Sequence, residues 1–210
     1  MSDEEAKPVS RQRKPRKLAF YKMTFDYNRS GSLGFYLEDE RVLPYGQFDF
    51  LNFSAPPTFV FDRKKGRLPT DLEQYRNFWL ISERTKAVFQ AIDRSAFAFV
   101  ECRVKLPQGD YDGPHYWLCN ATRILDALDE AQSILKKIGI RDDPRYIDFG
   151  KKYYDVMGPH KFVFKEEAIG DAHVFRMEHL RRTIICDQTL KDACKAAGLK
   201  GIKFADVSDL

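Results

Sequence analysis

The pattern of apolar and polar positions predicts several short strands. Residues 18–27 alternate in the way that a strand with one buried face does. Further apolar runs, bounded by Gly and Pro, predict strands at 46–53 and 57–62 and within 114–125. The buried face of the first strand is the one that carries Ala19, Tyr21, Met23, Phe25 and Tyr27.

A helix is predicted directly after the apolar run at 78–81. Ser82 is a suitable N-cap for it, because a serine side chain accepts a hydrogen bond from the first turn. Apolar residues follow at the spacing i, i+3, i+4, i+7, which places them on one face of a helix. After a turn, a strand is predicted from Phe97 to Val104. The residues of the helical face are Thr85, Val88, Phe89 and Ile92.

The same order of elements recurs 105 residues later. Asp187 replaces Ser82 as the N-cap, and Gly198 ends the second helix. A strand then follows with Ile202 and Phe204. The parallel indicates a shared strand–helix–strand pattern and leaves pseudo-symmetric packing open, since few aligned residues are identical. The second helical face carries Leu190, Ala193, Cys194 and Ala197, and the identical pairs are chiefly Lys86/Lys191, Ala91/Ala196 and Phe99/Phe204.

The region between these two units is less regular. Residues 126–139 predict a short acidic turn followed by a brief helical segment, and residues 145–156 predict a strand. Many short strands with a few helices predict the α+β class, with a mostly antiparallel sheet. No linker is evident after residue 17, so we expect a single domain at 18–210. Its N-terminal β-rich part is 18–74, and the remainder is 75–210.

Charge is unevenly distributed along the chain. The 210 residues have a net charge of +4, and residues 1–17 contribute +3 of it through six basic and three acidic side chains. That segment is poor in apolar residues, so we expect a disordered basic arm. The body carries only +1, which implies no strong surface for polyanions. We expect a cytoplasmic protein, because the sequence shows neither an apolar signal core nor a membrane-spanning run.

The cysteines and histidines give little evidence of a chemical site. The four cysteines lack zinc-like spacing and lie beside apolar residues, so we interpret them as small buried side chains. Two histidines end a repeated "GPH" motif, but no partner for general-base chemistry is evident. We therefore expect no catalytic residue, no cofactor and no metal. The cysteines are Cys102, Cys119, Cys186 and Cys194, and the histidines are His115, His160, His173 and His179.

Partner contacts have two candidates. Asp126, Asp129 and Glu130 form an acidic group on a turn, which is usual for a solvated face and also suits a basic partner. The arm "RQRKPRK" is either a solubilising tail or a contact for nucleic-acid phosphates. Two alternatives thus stay open beside a binding protein. They are a hydrolase or transferase with a Cys or His site and a nucleic-acid-associated protein.

Three segments in series carry a family resemblance. They are "FWLISERTKAVFQAID", "YWLCNATRILDALDEAQS" and "DQTLKDACKAAGLKGIKFADV". Their recognisable residues are Trp79–Ser82, Tyr116–Leu118 with Asn120, Asp126–Asp129, and Ala197–Leu199 with Gly201 and Phe204. Over roughly residues 75–207 they resemble the immunity-protein family of bacterial polymorphic toxin systems, formerly a domain of unknown function. Cys186 departs from the pattern, where an ordinary aliphatic residue is expected.

The resemblance implies a non-enzymatic protein that binds and neutralises a cognate toxin. It transfers no catalytic residue to this chain. A protein of this kind needs a complementary surface, which usually combines aromatic anchors with a charged rim. The acidic turn with Asp126, Asp129 and Glu130 is therefore the candidate binding site.

Overall fold

Short strands dominate the computed structural model, which describes residues 19–28, 31–43, 53, 55–145 and 148–208. The predicted arm at 1–17 lies outside the described residues, as does the strand predicted at 46–53 apart from Phe53. The helices are α1 (Glu83–Asp93), α2 (Glu166–Ile169) and α3 (Gln188–Ala196). The strands are β1 (Phe20–Phe25), β2 (Phe35–Leu37), β3 (Thr58–Phe61), β4 (Leu72–Tyr75), β5 (Phe78–Ser82), β6 (Phe97–Lys105), β7 (Tyr116–Ala121), β8 (Ile124–Leu125), β9 (Lys137–Ile140), β10 (Lys152–Asp155), β11 (Val174–Met177), β12 (Leu180–Asp187) and β13 (Ile202–Asp206).

The strands form two main sheets and a separate hairpin. One sheet has six strands in the order β2-β3-β6-β7-β5-β4, and the other has five in the order β13-β1-β12-β11-β8. The hairpin consists of β9 and β10. Within the described residues every strand pairing is antiparallel except β3 with β6 and β8 with β11. The predicted α+β class with mostly antiparallel pairing is confirmed.

The first unit consists of β5, α1 and β6 with β7 as its central strand. β7 is antiparallel to both neighbours, so β5 and β6 run parallel and α1 connects them. The predicted N-cap is confirmed, because the Ser82 side chain accepts a hydrogen bond from the Thr85 amide at 3.3 Å. On the buried face, the rings of Phe89 and Phe97 stack with centroids 4.5 Å apart.

The second unit has the same plan, with β12, α3 and β13 arranged around β1. Asp187 caps α3, since its Oδ1 accepts a hydrogen bond from the Leu190 amide at 3.0 Å. Gly198 follows the helix at φ 63°, a left-handed conformation that favours glycine. The central strand comes last in the first unit and first in the second. The units therefore share one arrangement in two chain orders, and the pseudo-symmetric packing left open by the sequence is present.

A lysine lies over an aromatic ring of the central strand in each unit. Lys86 Nζ is 3.1 Å from the ring centroid of Trp117, and Lys191 Nζ is 3.3 Å from that of Tyr21. The two aromatic residues occupy matching register positions, because one faces Ile81 and the other faces Cys186. The identity of the two lysines is therefore explained by a repeated cation–π contact.

The two units also bind each other through hydrogen bonds. Asp71, just before β4, accepts a hydrogen bond from the Lys200 amide at 2.8 Å. At the end of α1, Asp93 likewise accepts one from the His173 amide at 3.0 Å. Asp71 and His173 each also contact the helix cap of their own sheet, at Ser82 and Asp187. Each cap is thus linked to the loop that follows the other helix.

The helices share one core between the two sheets. α1 packs against α3, and the buried cluster around them includes Phe89, Leu190 and Cys194. β1 is buried on both faces, because Phe20 belongs to a second cluster while Tyr21 belongs to the first. Burial contributes about 25 cal/mol per Å² of apolar surface, so the shared core stabilises both units together.

Several details of the sequence-based description are wrong. β1 is buried on both faces rather than one, and among the described residues the strand predicted at 145–156 is limited to β10, which follows a turn at 148–150. Tyr27 was placed on the buried face of the first strand, but β1 ends at Phe25 and Tyr27 is 68% exposed. Residues 126–139 contain no helical segment; a turn at 130–132 leads to an isolated bridge at Ile134 and then to β9. Pairing with β10 supplies the backbone hydrogen bonds that a helix would otherwise have made.

Candidate functional site

Asp129 shapes the acidic turn from within. Its Oδ1 accepts hydrogen bonds from the amides of Ala131 and Gln132, each at 3.1 Å. The Gln132 side chain donates to its other oxygen at 2.7 Å, and this bond is the main cause that lowers the pKa of Asp129. A carboxylate held in this way stabilises a turn.

Glu130 joins the turn to the hairpin. Its Oε1 accepts hydrogen bonds from Lys152 Nζ at 2.6 Å and from the Tyr154 hydroxyl at 2.7 Å. These bonds lower the pKa of Glu130, with Lys152 as the larger cause. The pKa of Tyr154 is raised, first by burial and then by the carboxylate beside it. Tyr154 therefore remains a neutral donor that anchors β10.

Asp126 is the most exposed of the three predicted contact residues. Its side chain is 56% exposed, and its Oδ2 lies 3.5 Å from His179 Nε2. The structure thus places Asp129 and Glu130 at the turn, where internal hydrogen bonds occupy both, and places Asp126 before the bridge at Leu128. Their contact with a partner stays a prediction, for which Asp126 is the most accessible side chain.

The hairpin beside this turn was missed as a candidate surface. β9 and β10 pair with each other and, in the described part of the chain, with no other strand. Ile138 and Ile140 alternate with Lys137 and Gly139 along β9, and both isoleucines are exposed. This two-residue period was the available signal, but the preceding helix-forming residues at 135–137 concealed it.

The four cysteines are free and buried. Burial raises the pKa of the Cys102 and Cys194 thiols to about 12. It also raises the pKa of Cys119 and Cys186 well above the usual value. A nucleophilic cysteine requires a lowered pKa and some exposure, so these settings suit packing rather than thiolate chemistry.

The four histidines lie in separate settings. Among the described residues, no group of three or more His, Cys, Asp or Glu side chains is arranged to hold a metal ion. The partners are the Gly158 carbonyl for His160 Nδ1 at 2.8 Å, Asp187 Oδ2 for His173 Nδ1 at 2.8 Å, and Asp126 for His179; His115 is exposed.

One open cavity of about 400 Å³ lies beside His115 and Cys102. The thiol of Cys102 faces the Val100 carbonyl at 3.8 Å, and the residue is 4% exposed. No hydrogen bond joins His115 to a thiol or a carboxylate within the described ranges. Glu101 and Asp112 also line the cavity, so carboxylates lie near His115 but are not hydrogen-bonded to it in the described part of the chain.

The described residues thus form an α+β protein with two matched β-α-β units and a separate hairpin. The model of the Immunity protein family (Imm11) matches residues 9–209, so the chain belongs to this family. The match begins well before residue 75, where the recognisable motifs begin. No curated protein matches the chain. None of the described helices has the length and apolar character needed to cross a membrane.

Proposed function

We propose that this chain neutralises a cognate bacterial toxin by binding it, and that it catalyses no reaction itself. The observation that carries the proposal is the family match over residues 9–209. A binding role is also consistent with the buried thiols and the separated histidines. An immunity protein requires only a surface complementary to its partner, without a reaction centre.

The proposal places the protein in the cytoplasm. Its four cysteines are free, and a reducing compartment keeps thiols in that state. The partner is a protein, and the proposal requires neither a cofactor nor a nucleic acid.

Co-expression with a candidate toxin from a neighbouring gene tests the proposal. Cells that produce the toxin alone should die, and cells that also produce this chain should grow. Loss of growth in both cultures would contradict the proposal.

A titration separates binding from catalysis. Purified chain is added to the active toxin, and residual toxin activity is measured against the molar ratio. A tight binder abolishes toxin activity at an equimolar ratio, and the residual activity at lower ratios stays constant with time. Inactivation by a small fraction of an equivalent, increasing with time, would instead show that the chain is an enzyme.

A further inference from the structure

Exposed apolar side chains concentrate in the segment 134–157, which contains the hairpin. Of the six large hydrophobic residues that are exposed in the described part of the chain, five lie between residues 134 and 157. Monomeric proteins seldom keep several such residues together unless the surface has a partner. These five residues, between 43% and 75% exposed, are Ile134, Ile138, Ile140, Phe149 and Met157.

Strand pairing places two of these residues on one face of the hairpin. Ile138 lies opposite Tyr154, and Ile140 lies opposite Lys152. On β10, these two opposite residues are held to the protein body through Glu130. On β9 the two isoleucines are exposed, so the face is anchored through β10 and accessible along β9.

The other face of the hairpin is basic. It carries Lys137, Arg141 and Lys151, together with Asp155 and with Tyr153, over which the Arg141 guanidinium stacks at 4.3 Å. Residues 136–155 contain six basic and four acidic side chains. Three of the acids form ion pairs with basic side chains of the same segment, namely Asp155 with Lys136, Asp148 with Arg141 and Asp143 with Arg145.

The exposed lysines of this face give the hairpin its positive surface. Lys137 and Lys151 are exposed, and neither has an ion-pair partner within 4.0 Å among the described residues. Exposed unpaired charges at the edge of an interface mainly accelerate association and select partners of opposite charge.

We infer that the β9–β10 hairpin is the docking element for the toxin, and that it enters a groove with one apolar wall and one acidic wall. The apolar wall contacts Ile138 and Ile140, and the carboxylates of the acidic wall face Lys137 and Lys151. This inference rests on the proposed function, since it names the part of the chain that recognises the toxin.

Charge complementarity favours such a partner over a second copy of this chain. A symmetric dimer places the same surface of both copies in one interface. If both faces of the hairpin were buried in it, the lysines of the two copies would share that interface, and like charges there oppose association. An acidic partner has no such penalty.

Binding of the catalytically inactivated toxin to hairpin variants tests the inference. The double variant Ile138→Thr with Ile140→Thr removes apolar surface but keeps β-branched side chains that suit a strand. It should raise Kd roughly tenfold or more, as expected for anchors at an interface centre. Tyr27→Thr alters an exposed large hydrophobic residue outside the segment, so it is the matched control and should leave Kd unchanged.

A second variant tests the basic face independently. Lys137→Gln with Lys151→Gln removes the charge of two exposed side chains and places no like charge opposite Asp155. It should slow association roughly tenfold at low salt, with a smaller difference at high salt. Near-ultraviolet circular dichroism and the melting temperature verify that each variant is folded.

The outcomes distinguish the docking site from the function. Wild-type affinity in both hairpin variants would overturn the docking site while the proposed function stands. Failure of the wild-type chain to bind the toxin would overturn both. A wild-type dimer that the isoleucine variant converts to a monomer, measured by light scattering, would assign the surface to a second copy and also overturn the inference.

Discussion

The two units use one backbone plan with different side chains. Position 89 of the first unit carries a phenylalanine that stacks on Phe97, whereas the matching position of the second unit carries Cys194. Trp117 and Tyr21 lie under equivalent lysines. The features that remain the same are caps, strand register and helix direction. The side chains that fill the core therefore differ more between the two units than the contacts that fix where each helix begins.

The polar partners of the central aromatic residues differ in the same way. The Trp117 indole Nε1 donates to the Glu83 carboxylate, while the Tyr21 hydroxyl donates to Gln188 Oε1 at 2.5 Å. Both acceptors are the first residue of their helix. In each unit the first residue of the helix therefore accepts the hydrogen bond of the central aromatic residue, although the donor is an indole in one unit and a phenol in the other.

The largest expected difference between the units lies in their cores. Phe89→Ala should destabilise the protein by about 3–5 kcal/mol, because it removes a fully buried ring. Cys194→Ala at the matching position removes one atom and should cost about 1 kcal/mol. Urea unfolding measures both values. Equal losses of stability in the two variants would contradict the expected difference between the two cores.

The helix caps should differ less. Asp187→Ala should cost about 1–2 kcal/mol and Ser82→Ala about 1 kcal/mol. The aspartate has the shorter cap bond, 3.0 Å against 3.3 Å, whereas the second contact of each cap has the same length, 2.8 Å from Asp187 to His173 and from Ser82 to Asp71. Urea denaturation provides the comparison. A larger loss in the serine variant would contradict the expected order.

The two lysine–aromatic contacts should have smaller effects. Lys86→Met and Lys191→Met keep the apolar length of the side chain but remove the charge, and each should cost about 0.5–1 kcal/mol. The first loss should be the greater, because tryptophan is the better cation–π acceptor. Double-mutant cycles with Trp117→Leu and Tyr21→Leu isolate the pair energies. Zero coupling in both cycles would argue against a shared role.

The bond at Asp93 should appear as a change in acid sensitivity. Burial alone would raise the pKa of Asp93, but hydrogen bonds from Arg123 and the His173 amide lower it below the usual 3.8. The stabilisation is therefore complete above the unfolded pKa and is lost as the pH falls through the folded pKa.

Asp93→Asn tests the combined effect of Arg123 and the His173 amide on this carboxylate, of which Arg123 has the larger effect. The wild-type carboxylate takes up a proton at low pH, whereas the asparagine amide does not titrate. The urea midpoint of the variant should therefore fall less steeply than that of the wild type as the pH drops below about 4. Midpoints at pH 7, 5, 4 and 3 provide the slopes. Parallel slopes would indicate that this carboxylate does not contribute to acid unfolding.

Local signals predicted the units well and the hairpin poorly. Ser82 and Asp187 each mark a helix start within four residues of sequence, so both caps could be predicted. The shared lysine was visible at 86 and 191, but its aromatic partners lie on strands far away in the chain and in opposite chain order. Only tertiary pairing reveals that Trp117 and Tyr21 are equivalent.

The candidate site shows the same limit. The carboxylates of the turn at 126–130 were evident from the sequence, yet Lys152 and Tyr154, which hold Glu130, follow more than twenty residues later. β9 contains four residues, too few for a distinct period when helix-forming residues precede it. Its pairing with β10 is a non-local contact, and its exposure depends on what the rest of the fold leaves uncovered.

Hydrogen–deuterium exchange of the chain, alone and bound to the inactivated toxin, tests most directly the division between a scaffold of two units and a recognition hairpin. The account predicts slower exchange on binding in peptides that cover 134–157, with the amides of α1 and α3 unchanged. Slower exchange in the helices or in their central strands, with no change at 134–157, would contradict it.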